Sequence, residues 1–158
     1  ALNTAAGSVK EALGLTDYKV GVHIQLPFPH PSKEDFGGGM RTDTLENRVA
    51  VCRWFMEEAV RRFEERNYEH LRLCSFYQGC ESVPTAVSDE EEALFAAVNC
   101  EAHAMGLKAS WIPCYLGTGF ARWKELALAK GFRHVASAPL ARSSYKAWEA
   151  LEDVHDLY

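Results

Sequence analysis

No block of like charge occurs in this sequence, and that absence removes one class of partner at once. The chain has 17 Lys and Arg against 22 Asp and Glu, a formal net charge of -5. Its basic residues are interleaved with acidic ones, as in Arg61-Arg62-Phe63-Glu64-Glu65-Arg66, the pattern of a solvated helix face. A mildly acidic chain without a Lys/Arg run does not attract a polyanion, so no nucleic-acid partner is expected. No apolar run approaches the roughly 18 residues of a membrane span, and no membrane partner is expected. The start, Ala1-Leu2-Asn3-Thr4-Ala5-Ala6, has neither the basic nor the apolar region of a signal peptide. It also lacks a Met, so the chain reads as processed, trimmed or cut from something longer. The compartment is not legible.

Several chemical signatures are missing too. The five cysteines, Cys52, Cys74, Cys80, Cys100 and Cys114, form no C-x-x-C pair. Cys74 and Cys80 flank a strand end with no close His, so no metal is expected. Nothing demands an oxidising compartment, and most of these cysteines read as small buried residues. Gly37-Gly38-Gly39 lacks the spacing of a phosphate-binding loop and does not lead straight into a helix. There is no G-x-S-x-G elbow and no H-E-x-x-H. No cofactor is expected.

What is present is a repeated punctuation. Helix-like stretches end at Gly14-Leu15, Asn67-Tyr68, Gly106-Leu107 and Gly131-Phe132, where Gly or Asn can take the left-handed conformation that closes a helix. A β-rich run follows each: Lys19 to Leu26, Leu71 to Tyr77, Lys108 to Pro113 and His134 to Ala138. Leu45, Val49, Cys52, Met56, Ala59 and Phe63 form one apolar stripe, with Asp43 as the expected cap and Glu46 reaching back. The next helix is expected to start at Ser88 with Glu91 completing a capping box. Leu94, Val98, Glu101 and Met105 follow at helical spacing. Further helices are expected at about Thr4 to Leu13, Phe120 to Lys130 and Tyr145 to Leu151.

Alternating helices and strands predict an α/β fold with a parallel sheet. Two architectures fit: an internal piece of a (β/α)8 barrel, or a small doubly wound α/β domain. A whole barrel needs about 250 residues, so residues 1–158 would be one partial barrel segment, incomplete at both ends.

Sites in parallel α/β folds gather at the carboxyl ends of strands. Those ends carry aromatic rings and polar groups here: Phe28 and Asp35 after the first run, Tyr77 and Glu81 after the second, Trp111 and Tyr115 after the third. Aromatic rings beside carboxylates suit carbohydrate, with the carboxylate as acid, base or nucleophile. Glu81 stands out because it directly follows a strand. The competing reading makes Glu81 a surface loop carboxylate and Trp111 a core residue. His23 and Gln25 share one strand face. They are either polar groups lining a lumen or a hydrogen-bonded core pair.

Several motifs in order carry a family resemblance: Leu26-Pro27-Phe28-Pro29, Asp35-Phe36-Gly37, Arg48 and Trp54 on a helix, Phe76-Tyr77-Gln78-Gly79-Cys80-Glu81, Trp111-Ile112-Pro113-Cys114-Tyr115, and Gly117, Gly119 and Trp123 before Gly131-Phe132. From about Tyr18 to Tyr145 the sequence resembles the domain-of-unknown-function 4855 family, bacterial proteins grouped with TIM-barrel glycoside hydrolases. The resemblance implies that the four strands are strands three to six of a barrel. It implies Glu81 as general acid/base after strand four, its pKa raised by apolar neighbours such as Phe76 or Trp111. The partner carboxylate would follow strand seven, outside this chain, leaving this segment inactive alone. His23, Gln25, Phe28, Asp35, Tyr77, Trp111 and Tyr115 would contact carbohydrate. A secreted bacterial parent stays open. Departures occur at Gln78, at Cys80 and at Ala138-Pro139-Leu140-Ala141, where the family has Trp, His and Q-P-N-Y. Rival expectations are a non-catalytic carbohydrate-binding or scaffold barrel, and a nucleotide- or flavin-binding doubly wound domain. An open half-barrel should also meet the rest of its barrel or self-associate through unpaired edges.

Overall fold

The computed structural model describes residues 1–80, 83–84, 86–111, 129–130 and 134–135, with residues 134–135 described by backbone alone. The element order is α1 (Leu2–Leu13), β1 (Val20–Gln25), α2 (Leu45–Glu65), β2 (Leu71–Gln78), α3 (Glu91–Ala104), β3 (Lys108–Trp111) and β4 (His134–Val135). The expected helix over Phe120 to Lys130, apart from Ala129 and Lys130, and the one over Tyr145 to Leu151 lie outside the described residues.

The punctuation residues behave as their chemistry requires. Gly14 closes α1 at φ 65°, and Asn67 follows α2 at φ 42°. The caps differ from expectation. Thr44, not Asp43, caps α2 by accepting the Asn47 N–H at 3.2 Å. Asp43 instead takes the Asn47 side-chain amide and Arg41, partners that hold its carboxyl below the usual range. Nor does Glu91 reach back to cap α3. It is the first residue of that helix and turns wholly inward.

The sheet is parallel with strand order β1-β2-β3-β4. Among the described strands the order follows the chain, with no reversal of the kind that marks the switch point of a doubly wound sheet. Right-handed crossovers between sequential strands place successive helices on one face. There α2 and α3 pack on each other and on the sheet. Their core joins Val49, Cys52 and Met56 of α2, Leu94, Val98 and Ala102 of α3, and Leu26 and Phe76 from the sheet. α1 lies at the amino end of β2, where Asn3 accepts the His70 backbone N–H at 2.9 Å. Among the described residues no helix is long and apolar enough to cross a membrane.

Strand parity divides the sheet chemically. Ile24, Phe76, Ala109 and Trp111 face the helices, and Phe76 pairs in register with Ala109. The opposite face carries His23, Gln25, Ser75, Tyr77, Lys108 and Ser110. That face is polar although the sheet is parallel.

Candidate functional site at the carboxyl ends of the strands

The long β1–α2 loop opens the site and is held by buried polar contacts. The hydroxyl of Thr42, fully buried, lies 2.7 Å from the carbonyls of both His30 and Lys33 and shares its single proton between them. Asp35 accepts the N–H groups of Gly37 and Gly39 at 2.8 and 3.1 Å. Gly37, Gly38 and Gly39 all have positive φ, so this triplet is a turn shaped around Asp35. Asp35 is exposed, with one carboxylate oxygen engaged by its own loop.

Beneath the loop lies an ion pair. Arg48 Nη2 donates to Glu91 Oε1 at 2.6 Å, with the side chains 1% and 0% exposed. Arg48 Nε donates to the Pro29 carbonyl at 2.8 Å, and its guanidinium carbon lies 5.8 Å from the Phe28 ring centre. One side chain thus joins α2, the β1–α2 loop and the start of α3. Sequence reasoning took Glu91 for a cap and gave Arg48 no partner. A signal was there: each residue falls on its helix's apolar stripe, with opposite sign.

The carboxyl ends of β1 and β2 frame a cavity of about 100 Å³ whose lining includes Gln25, Phe28, Cys52, Gln78, Gly79 and Cys80. Gln25, read from the sequence as a binding group, packs over Gly79, where a Cβ would overlap its side chain. Tyr77 pairs with Gln25 in register, on the polar face. So Gln25 and Phe28 line one cavity with Gly79 and Cys80, the segment that runs into Glu81. Glu81 and Tyr115 themselves lie outside the described residues. Burial, and then the Glu91 charge, push the Cys80 thiol above its ordinary value.

Trp111 departs from the expectation of an exposed sugar-stacking ring. It is 0% exposed, packed edge-on to Phe95 with ring centres 6.1 Å apart. Its parity with Ala109 turns it toward α3. Its indole N–H donates to the Cys80 carbonyl at 2.6 Å. The ring is therefore a strut that fixes the backbone one residue before Glu81.

His23 and Gln25 are both exposed on the polar face, so they are not a buried core pair. His23 Nδ1 lies 2.5 Å from Ser75 Oγ, and Ser75 Oγ lies 2.6 Å from Ser110 Oγ. This row crosses three strands. Ser75 and Ser110 were missed because a strand serine has no pattern of its own until a neighbouring strand supplies its partner. Among the described residues no group of three His, Cys, Asp or Glu could hold a metal.

Short segments of this chain are similar to curated proteins. Lipoyl synthase of Rubrobacter xylanophilus is 56% identical over 39 residues, 25% of this chain and 12% of that protein. Mitochondrial lipoyl synthase of Clavispora lusitaniae is 68% identical over 31 residues, 20% of this chain and 8% of that protein. Lipoyl synthase of an Anaeromyxobacter species is 63% identical over 30 residues, 19% and 10% of the two chains. The chain spans about a tenth of the length of these curated relatives. No solved structure matches it. A family model matches residues 1–139, which include every described element, and the chain therefore belongs to the family described as Domain of unknown function (DUF4855).

Proposed function

We propose that the intact protein closes a (β/α)8 barrel that hydrolyses carbohydrate, with Glu81 as general acid/base and its partner carboxylate outside this chain. The observation that carries this reading is the sequential, unreversed strand order, with Glu81 three residues past the end of β2. Helices cover one face only among the described elements. Parallel sheets are ordinarily covered on both faces, and closure into a barrel would turn the face bearing His23, Gln25 and Tyr77 into the lumen. Phe28, Gln25 and Tyr77 then stand at the mouth as sugar contacts. The Trp111–Cys80 bond supports the reading by holding the backbone that leads to Glu81. The local likeness to lipoyl synthases covers too little of those proteins to bring their activity here.

In this scheme Glu81 protonates the glycosidic oxygen as the bond breaks. It then takes a proton from the incoming water, while the second carboxylate acts from the opposite face of the sugar. A second reading, a barrel that binds carbohydrate without cleaving it, is favoured by Ala138-Pro139-Leu140-Ala141, where the family pattern carries polar groups.

Glu81→Gln in the full-length protein separates the two. Wild type and variant are assayed on methylumbelliferyl glycosides and for reducing ends released from polysaccharides. Loss of a general acid/base should lower turnover by about 10²–10⁴-fold with an unchanged circular dichroism spectrum. Undiminished hydrolysis would sink the acid/base role. Retention on immobilised polysaccharide by an inactive wild type would favour the binding barrel.

A further inference from the structure

The cavity of about 100 Å³ at the carboxyl ends of β1 and β2 has a chemically divided lining. Most of its wall is apolar, made by Leu26, Phe28 and Cys52 together with Leu94, Phe95 and Val98 of α3. All of these but Phe28 are buried. Two carboxamides interrupt the wall, Gln25 and Gln78. Gln25 is exposed and lies against Gly79, whose missing side chain leaves room for it.

Gln78 ends β2, two residues after Phe76, so its side chain takes the helix side of the sheet. It is 9% exposed. Among the described residues its carboxamide has no hydrogen-bond partner. A buried carboxamide with neither donor nor acceptor engaged is costly, and native structures leave few such groups without a role. An apolar wall with a few placed polar groups is also the make-up of a small-ligand pocket.

The size and the two halves of the lining narrow what fits. At about 30 Å³ per water, the cavity takes about three waters or a substituent of about four heavy atoms. Water would pair with Gln78 and gain nothing from the apolar wall. A group with an amide at one end and a methyl at the other matches both halves. An amide N–H and C=O pair with the C=O and NH₂ of a carboxamide, and the methyl leaves water for the apolar wall.

We propose that this cavity is the subsite for the acetamido group of an N-acetylated sugar, with Gln78 as the residue that selects it. The proposal rests on the carbohydrate reading of the strand-end site and names its substrate class. Gln25 marks the exposed edge, where the sugar ring that carries the substituent would lie.

The test measures binding to the full-length protein by saturation-transfer NMR and calorimetry. The probes are N-acetylglucosamine and N-acetylgalactosamine, each compared with glucose or galactose as its parent sugar. Free monosaccharides have no glycosidic bond to cleave, so binding is read without turnover. At least one N-acetylated sugar should bind about tenfold or more tighter than its parent, the scale of one or two hydrogen bonds and a buried methyl. Its acetyl methyl protons should take up the strongest saturation. Gln78→Leu keeps most of the side-chain volume and removes the amide, and it should bring the two affinities within about twofold. Where circular dichroism shows that variant to be misfolded, Cys52→Leu, which fills the cavity, carries the same test. Equal affinity for an N-acetylated sugar and its parent in both pairs overturns the proposal. So does a preference that survives the folded variant, or the binding of none of the four sugars. Plain sugars bound without preference would sink this proposal alone, and the hydrolysis assay of Glu81→Gln judges the acid/base reading separately.

Discussion

Glu91→Leu leaves the Arg48 guanidinium, 1% exposed, without its anion. Removing one partner of a buried pair costs about 3–5 kcal/mol, because the surviving charge stays desolvated. Arg48 would keep the Pro29 carbonyl at 2.8 Å and the Phe28 ring at 5.8 Å, which sets Glu91→Leu near the lower end, about 3 kcal/mol. Arg48→Met breaks the same pair and also strips the buried Pro29 carbonyl of its donor, worth about 1–3 kcal/mol more. The double variant has no buried charge left, and only the orphaned carbonyl remains, about 1–3 kcal/mol. It should therefore be milder than Arg48→Met alone, with a coupling energy of at least about 2 kcal/mol. Arg48 Nη1 and Glu91 Oε2 have no hydrogen-bond partner among the described residues, which makes recovery in the double variant more complete. Urea unfolding followed by far-ultraviolet circular dichroism, with equal m values required, measures all three. Additivity within about 0.5 kcal/mol, or a single variant costing under about 1 kcal/mol, would refute the assignment of this pair as a coupled, desolvated joint between the β1–α2 loop and α3.

Trp111→Phe keeps a ring against Phe95 but removes the donor to the Cys80 carbonyl. It should lower the unfolding free energy by about 1–3 kcal/mol in the same urea assay, and an unchanged midpoint would deny the strut its role. Arg61 and then Arg62 donate to Glu58 and bring its carboxyl from 4.5 to about 2. A depressed folded-state value gives stability that is full above pH 4.5 and is lost as pH falls toward about 2. Urea midpoints across that window should fall less steeply for Glu58→Gln than for wild type, and high salt should shrink the difference because the site is solvent-screened. Burial pushes the Cys52 thiol up to about 12, against a smaller lowering by Arg48. Iodoacetamide in mildly alkaline buffer should label it only as the chain unfolds, and mass spectrometry of native protein showing modified Cys52 would contradict this.

How much was legible depends on the range of the interaction. Gly14 and Asn67 were readable as helix ends because a left-handed residue is a local requirement. The stripe from Val49 to Met56 was readable because helical spacing is local too. Thr44 displaced Asp43 as the α2 cap because the cap must sit one residue before the helix, and neighbouring polar residues leave that register open. Glu91 shows the stronger effect. It stands three residues after Ser88 as a capping box requires, but the helix begins at Glu91 itself, and a cation on α2, 43 residues earlier, takes its carboxylate. Trp111 was misplaced for a related reason. An aromatic residue at a strand's end reads as site or core equally well until the parity with Ala109 is known.

The sequence by itself determined the order of helices and strands, the parallel sheet and the placing of His23 and Gln25 on one strand face. Periodicity, chain-terminating residues and the two-residue repeat of a strand are properties of neighbouring positions. Only the tertiary structure decided the unreversed strand order, the joining of Arg48 to Glu91, the hold of Trp111 on Cys80 and the bulge that leaves Cys74 without a partner on β1. Each of these depends on which distant segments share a surface, and burial then multiplies the strength of the contact that results.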